Sequence, residues 1–271
     1  MVRATTSSTM IVRGFLLDGG CYINYPYPLL TRGWALLRLV LFDVWNTLLR
    51  LDVVYEEIAR VASAVLGIEF SEALARLRAA YAESRRARRL GLVGPENVVD
   101  RSTKLFADLL GVEDFMAASI IERALRSVKP SVLAVDGALD VVRAVKGLGL
   151  KVATLGNVLF WPSMYTRDVV KAVGLSTYID RQFYADELGV QKPDREAFLA
   201  VCRELSVEPE EALHVGDGVS EDLGGALSAG LKAVLITGDV DRPVSIGSDI
   251  HFIPRLTHVV DIVKGLMAET A

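Results

Sequence analysis

The residues best equipped for chemistry in this chain stand where apolar runs stop. Asp43 closes the run LLRLVLF of residues 36–42, Gly156 and Asn157 follow KVATL, Lys192 sits in QKPD, and Asp217 and Asp222 belong to HVGDGVSED. In an open parallel sheet, ligands gather beyond the carboxyl ends of the strands. Four distant segments are therefore expected to bring an amide, an ammonium and three carboxylates to one rim. Hard oxygen ligands suit a magnesium ion, and a lysine offsets charge on phosphoryl oxygens, so the set points to phosphoryl chemistry with Mg2+ as cofactor. Asp43 would attack as nucleophile, giving an acyl-phosphate that water cleaves. Thr47 would hydrogen-bond close to it and fix the loop. Singly, each residue has a plainer reading: Asp43 as a turn residue, Lys192 as a solvated side chain, Asp194 as a helix cap, and Asp217 and Asp222 as the acidic start of a helix. The argument rests on their order and on each standing at a strand or loop end.

The elements that must position them follow from periodicity. Residues 36–42 are nearly continuously apolar, as in a strand buried on both faces of a parallel sheet. Helical spacing then takes over: Val54, Ile58, Val61 and Val65; Leu74, Leu77 and Tyr81 after Ser71 as N-cap; and, beyond the breakers Gly91, Gly94 and Pro95, the stretches 98–110 and 115–128. From Asp136 strands and helices alternate. A helix runs through Val141, Val142 and Val145, followed by strand 150–155, a helix near 168–173, strand 182–184, helix 194–205, strand 212–215, helix 222–229 and strand 232–237. That alternation predicts a doubly wound α/β fold with a parallel sheet and right-handed crossovers. The helical block interrupts it. Residues 36–50 and 136–271 are thus expected to form the core domain, and 51–135 an inserted helical cap. Residues 1–35, with Thr/Ser at the start, Gly19-Gly20, Pro26 and Pro28, carry no periodic pattern. They read as an N-terminal extension, either a poorly ordered tail or a segment packing Tyr22, Tyr25 and Tyr27 on a neighbour.

Composition sets the outer limits. The 271 residues are 51% hydrophobic and 24% charged, which suits a globular chain with a sizeable core. A net charge of -4 argues against a nucleic-acid binder, which needs a broad basic face. Cys21 and Cys202 are far apart and match no metal or disulfide spacing, pointing to a reducing compartment, with a cytoplasmic location as the default. No apolar run is long enough to span a bilayer, so no membrane partner is expected. The expected partner is a small, anionic molecule; the oligomeric state is not legible.

Asp43-Val-Trp-Asn-Thr47-Leu after an apolar strand resembles the first motif of the haloacid dehalogenase superfamily: aspartate, any residue, aspartate, glycine, threonine. Lys192-Pro193-Asp194 resembles its third motif, and Gly216-Asp217 with Asp222 its fourth. The likeness covers about residues 36–265, and an insertion between first and second motifs matches the helical-cap (C1) type. The resemblance implies a modified Rossmann core with Asp43 as nucleophile, Asp217 as magnesium ligand, Asp222 as an outer-shell carboxylate and Lys192 as the charge-balancing base. Gly156 and Asn157 take the place of the second motif, which binds the substrate's phosphoryl group. Three positions depart from the pattern. Trp45 replaces the second aspartate, the general acid and base of phosphatases, although its backbone carbonyl still reaches toward a metal and its ring toward substrate. Asn46 replaces glycine, a mild change because asparagine tolerates left-handed backbone. Gly156 replaces a serine or threonine, so Asn157, Thr154 or backbone amides must supply that donor. Haloacid dehalogenases also lack the second aspartate and usually carry an aromatic there, but they are metal-independent and would want a cap arginine, for which Arg76 and Arg78 are the candidates. A less characterised group whose first motif reads DVxxTLLRL is a closer match to residues 43–51. Three readings stay open: a phosphatase-like hydrolase of a small phosphorylated metabolite, a 2-haloacid dehalogenase-type hydrolase, and a catalytically weakened scaffold used for binding or regulation.

Other residues carry weaker signals. His214 reads as a satisfied core histidine, and His251 and His258 have no partners at metal spacing. Phe160, Trp161 and Tyr165 either line a pocket or pack against the cap. The run Arg85, Arg86, Arg88 and Arg89 either attracts an anionic substrate or forms a solvated helix face.

Overall fold

A computed structural model describes residues 36–268 of the chain. The expectations for residues 1–35 lie outside that range. Seven strands form one sheet in the order β3-β2-β1-β4-β5-β7-β6. They are β1 (Leu39–Phe42), β2 (Lys151–Gly156), β3 (Arg181–Tyr184), β4 (Ala212–Gly216), β5 (Lys232–Ile236), β6 (Val244–Ile246) and β7 (Ile250–Ile253). All neighbours are parallel except β6, the edge strand, which pairs antiparallel with β7. The predicted doubly wound sheet is therefore present, with an added hairpin that the reading of the sequence did not contain.

Side-chain alternation explains why both faces are covered. Leu39 and Leu41 of β1, with Ala153 and Leu155 of β2, enter a core shared with Phe198, Val201 and Leu205. Val40 and Phe42, with Val152, enter the larger core on the opposite face. Successive strand residues point to opposite faces, so a run with no polar break must be buried twice. The helices supplying these layers are α1 (Leu51–Leu66), α2 (Phe70–Arg89), α3 (Val98–Leu110), α4 (Asp114–Ser127), α5 (Ala138–Gly147), α6 (Ser163–Ala172), α7 (Ala185–Leu188), α8 (Arg195–Leu205), α9 (Gly225–Ser228) and α10 (Val259–Ala268).

Helices α1–α4 form the insertion. It leaves and rejoins the core at one place: Arg50 N donates to the Leu133 carbonyl at 2.8 Å, Val135 N to that of Leu48 at 3.0 Å, and the Arg50 guanidinium pairs with Asp136 at 2.6 Å. Two local expectations are corrected. Ser71 lies inside α2, whose N-cap is Glu69, because Phe70 already begins the helical turn. The helix expected over 222–229 starts as a π-helical turn, Val219–Gly224, before the short α9. Asp194 caps α8 as expected, accepting from Glu196 N at 2.9 Å.

Candidate active site

Strand β1 delivers Asp43 one residue past its end, with Asp43 N anchored on the Val215 carbonyl of β4 at 2.8 Å. The loop then turns sharply. Asn46 takes φ 67°, the left-handed conformation expected of the residue in that place, and Leu48 N and Leu49 N both donate to the Val44 carbonyl at 2.9 Å. Lys192 arrives from the loop before α8. Its backbone is held by Asn157, whose Oδ1 accepts from Lys192 N at 2.9 Å while Nδ2 donates to the Lys192 carbonyl at 3.0 Å. Asn157 thus uses its amide to tie the second segment to the third, a role that its position after β2 did not foretell.

The Lys192 ammonium, buried among carboxylates, donates to Asp43 Oδ1 and Asp222 Oδ1 at 2.6 Å each. Asp222 is fully engaged: Oδ1 also meets His214 Nε2 at 2.9 Å, and Oδ2 accepts from Gly218 N at 2.8 Å. A Cβ at Gly216 would collide with the Asp222 carboxylate, which is why the residue before Asp217 carries no side chain. Carboxylate oxygens of Asp43, Asp217 and Asp222 lie within 4.8 Å of one another. His214 is a core histidine as expected, but only half satisfied, since its Nδ1 is buried without a hydrogen-bond partner. Burial, its largest influence, lowers its pKa, so it is neutral and presents Nε2–H to an acceptor-only carboxylate.

The electrostatics show a site short of positive charge. Burial pushes Asp43 up to about 6, Lys192 opposes that, and Asp222 and Asp217 add to it. Asp217 is raised by burial first and by Asp222 second. Asp222 goes the other way: burial acts against its charge, but Lys192 and His214 outweigh it and hold the carboxyl below the usual range. Lys192 is raised, because Asp222 and Asp43 together overcome a burial that on its own would lower it. Three carboxylates share one ammonium, so the cluster is two charges negative when ionised, which a divalent cation would balance. Asp222 is saturated with donors and suits an outer position, leaving Asp43 and Asp217 as the carboxylates that could reach a metal directly.

A cavity of about 90 Å³ lies over these groups, lined by Asp43, Asn157, Lys192, Asp217 and Asp222 on the core side. Trp45, Tyr55, Tyr81, Phe160 and Trp161 supply aromatic walls. Trp45 and Trp161 meet edge to face at 5.5 Å, and Tyr55 packs the same way on Phe160 at 6.0 Å. Phe160 and Trp161 therefore both line the pocket and pack against the insertion. Two expected site residues stand apart. Gly156 does not line the cavity; a Cβ there would come within 2.9 Å of the buried Tyr184 ring, which fills the space that a serine would need. Thr47 is wholly buried, its Oγ1 makes no hydrogen bond, and it too is absent from the cavity wall, so the expected bond near the nucleophile is not made.

Sequence reasoning missed Tyr55, Tyr81 and Glu221, which line the cavity together with Arg88 of the basic run. Glu221 takes Arg89 Nε and Nη2 at 2.8 Å each, Arg85 Nε at 3.2 Å and Arg88 Nη2 at 3.3 Å, so three of the four arginines in the basic run converge on one carboxylate, while Arg86 stays exposed. A usable signal was present: Leu77, Tyr81, Ser84 and Arg88 continue one helical stripe of α2 from the core into the charged run. Arg76, weighed as a substrate arginine, instead donates to the Leu109 carbonyl at 2.9 Å and pairs with Glu72.

Comparison with known proteins agrees with this picture. A sequence model described as haloacid dehalogenase-like hydrolase matches residues 37–230, well over half of the chain. The phospholysine phosphohistidine inorganic pyrophosphate phosphatase of Xenopus laevis is 39% identical over 80 residues, 27% of this chain and 28% of that protein. Phosphoglycolate phosphatase 1 of Pseudomonas aeruginosa is 31% identical over 123 residues, 45% of this chain and 42% of that protein. The chain thus spans less than half the length of these curated relatives. The crystal structure of a HAD phosphatase from Thermococcus onnurineus superposes with a TM-score of 0.61 at 27% identity, covering 84% of this chain and 99% of that one.

Proposed function

Because the chain belongs to the haloacid dehalogenase-like hydrolases, we propose that it is a magnesium-dependent phosphatase of a small anionic metabolite, working through an aspartyl-phosphate on Asp43. The observation that carries this reading is the cluster of three carboxylates within 4.8 Å with one ammonium as countercharge. A divalent cation is what that imbalance calls for. Asp43, Asp217 and the backbone carbonyl of Trp45 would hold it, with Asp222 outside, and the ion would offset charge on the phosphoryl oxygens. Helices α1–α4 act as the cap over the core domain in this reading.

The residues of the chain then divide the work. Lys192 fixes Asp43 by Oδ1 at 2.6 Å and orients the carboxylate for attack. Its charge opposes the burial that raises Asp43 toward about 6, so the nucleophile is mostly ionised at pH 7. One Asp43 oxygen bonds phosphorus as the ester P–O bond breaks, and water later cleaves the acyl-phosphate, returning the carboxylate and phosphate. The indole of Trp45 cannot protonate the leaving oxygen, so the proton comes from solvent and assistance of about 10²- to 10⁴-fold is missing. Turnover should therefore fall steeply as the leaving group becomes more basic. Asn157 serves by holding the Lys192 backbone, while Gly156 gives the phosphoryl group no side-chain donor.

The reading predicts magnesium-dependent phosphate release from an aryl phosphate, abolished in Asp43→Asn, and magnesium binding by calorimetry that Asp217→Ala removes. Unchanged release by Asp43→Asn, or unchanged binding by Asp217→Ala, would falsify it. The aromatic wall around Trp45, where a proton donor would otherwise stand, favours one second reading, carbon–halogen hydrolysis, since a halide leaves without a proton. Halide release from a short 2-haloacid in the presence of chelator would support it, and none from a panel of such acids would remove it.

A further inference from the structure

The cavity lining carries one feature that phosphoryl chemistry alone does not use. Two cations line the pocket, Lys192 and Arg88. Lys192 is committed to Asp43 and Asp222. Arg88 is not comparably matched. Its apparent partner, Glu221, is already met by Arg89 in a bidentate pair with both distances 2.8 Å, and by Arg85 at 3.2 and 3.5 Å. Arg88 adds a single bond at 3.3 Å. Three guanidinium groups thus share one carboxylate, and the one facing the cavity is the most weakly held.

Arg88 is also the most deeply placed of the three, with its side chain 10% exposed against 31% for Arg85 and 42% for Arg89. Its Nε is wholly buried and has no hydrogen-bond acceptor. An orphaned, buried donor on a charged group is rare in folded proteins and calls for an explanation. Tyr55, Tyr81, Phe160 and Trp161 line the same pocket, and Arg85, over the Tyr81 ring at 5.9 Å, is committed to Glu221 through two bonds. A guanidinium offers a planar fork whose geometry suits a carboxylate or phosphate. At about 90 Å³ the cavity falls well short of ordinary ligand pockets, so whatever reaches both Asp43 and Arg88 is short.

We propose that Arg88 is the specificity-determining residue of this site, binding a second anionic group, a carboxylate or a second phosphate, at the far end of a short phosphomonoester. This rests on the phosphatase reading for the reacting end of the substrate. Glu221, neutralised by Arg89 and Arg85, positions the Arg88 side chain and is not its final partner.

The experiment compares kcat/KM for 2-phosphoglycolate with that for 2-hydroxyethyl phosphate, which differs by a hydroxymethyl group in place of the carboxylate. The bisphosphate of ethane-1,2-diol tests the second-phosphate source. Wild type should favour at least one doubly anionic probe by about 10- to 100-fold, the range of a charge-assisted hydrogen bond. Arg88→Ala should bring that ratio close to one, Arg88→Lys should restore part of it, and Arg86→Gln, at an exposed side chain paired with Glu83, should retain it. If Arg88→Ala does not fold, Arg88→Gln takes its place. A wild type without preference, or a preference that survives in the Arg88 variant, overturns the assignment. Should wild type release phosphate from none of the probes, the phosphatase reading has failed. Arg88 is then judged by calorimetric binding of the same probes: tighter binding of a doubly anionic one, lost in the Arg88 variant, upholds the assignment, and equal or absent binding overturns it.

Discussion

Replacing Lys192 by methionine keeps the length of the side chain and removes its charge, leaving Asp43 and Asp222 facing each other in a buried site. The ammonium makes two bonds of 2.6 Å with its side chain 2% exposed. Hydrogen bonds to charged groups contribute about 1.5–3 kcal/mol each, and removing one partner of a buried ion pair costs about 3–5 kcal/mol. The two estimates overlap at roughly 3–5 kcal/mol, a large part of the 5–15 kcal/mol that holds an ordinary domain together. With a urea dependence of about 1–3 kcal/mol per molar, the unfolding midpoint should drop by about 1–5 M. The loss should also depend on pH. Asp43 is already raised from 3.8 to about 6, and without Lys192 both carboxylates move upward in the folded protein. A carboxyl group raised on folding favours the folded state below its unfolded value and loses that contribution as pH rises through the folded one. Urea titrations followed by circular dichroism should therefore show a larger deficit at pH 8 than at pH 5. A midpoint within about 0.3 M of wild type at pH 8, or a deficit that grows toward pH 5, would refute the reasoning.

Gly156→Ser, which restores the family's usual residue type, should destabilise the protein by about 1–3 kcal/mol through overpacking, since its Cβ would meet Tyr184 at 2.9 Å and Val44 at 3.4 Å. Thermal melts should show partial recovery in the Gly156→Ser/Tyr184→Leu double variant; additive losses would mean that Tyr184 is not the obstacle. Glu221 is drawn down from 4.5 to about 2: burial pushes the other way, but its hydrogen bonds to Arg89 and Arg85 prevail. Its stabilisation, about 1–2 kcal/mol once the exposure of the arginines is allowed for, is present above pH 4.5 and lost as pH falls toward 2. The gap in melting temperature between wild type and Glu221→Gln should accordingly close over that range, and a gap constant from pH 7 to 3 would contradict the ion cluster.

Much of the core was legible because its signals are local. The apolar stretch Leu39–Phe42 before Asp43 reads as a strand buried on both faces, and the polar residue that ends such a run lies at the carboxyl rim. The same logic put Lys192, Asp217 and Asp222 at strand or loop ends, and the breakers around Gly91 and Pro95 separated α2 from α3. The hairpin β6–β7 escaped because three exposed residues, Val244–Ile246, carry too short a pattern to register.

What the tertiary structure alone decided is who meets whom across long stretches of chain. Leu77, Tyr81 and Ser84 advertise a helical face, but nothing near them in sequence says that Arg88 will close on Glu221, 133 residues away. Gly156 reads as a missing hydroxyl until the Tyr184 ring is seen in its place. Thr47 reads as a hydrogen-bond donor until burial leaves its Oγ1 without an acceptor. Periodicity and capping are properties of neighbouring residues, so one chain states them outright. Charge compensation and close packing depend on which distant surfaces are pressed together, and that is set only when the sheet and the helical insertion close on each other.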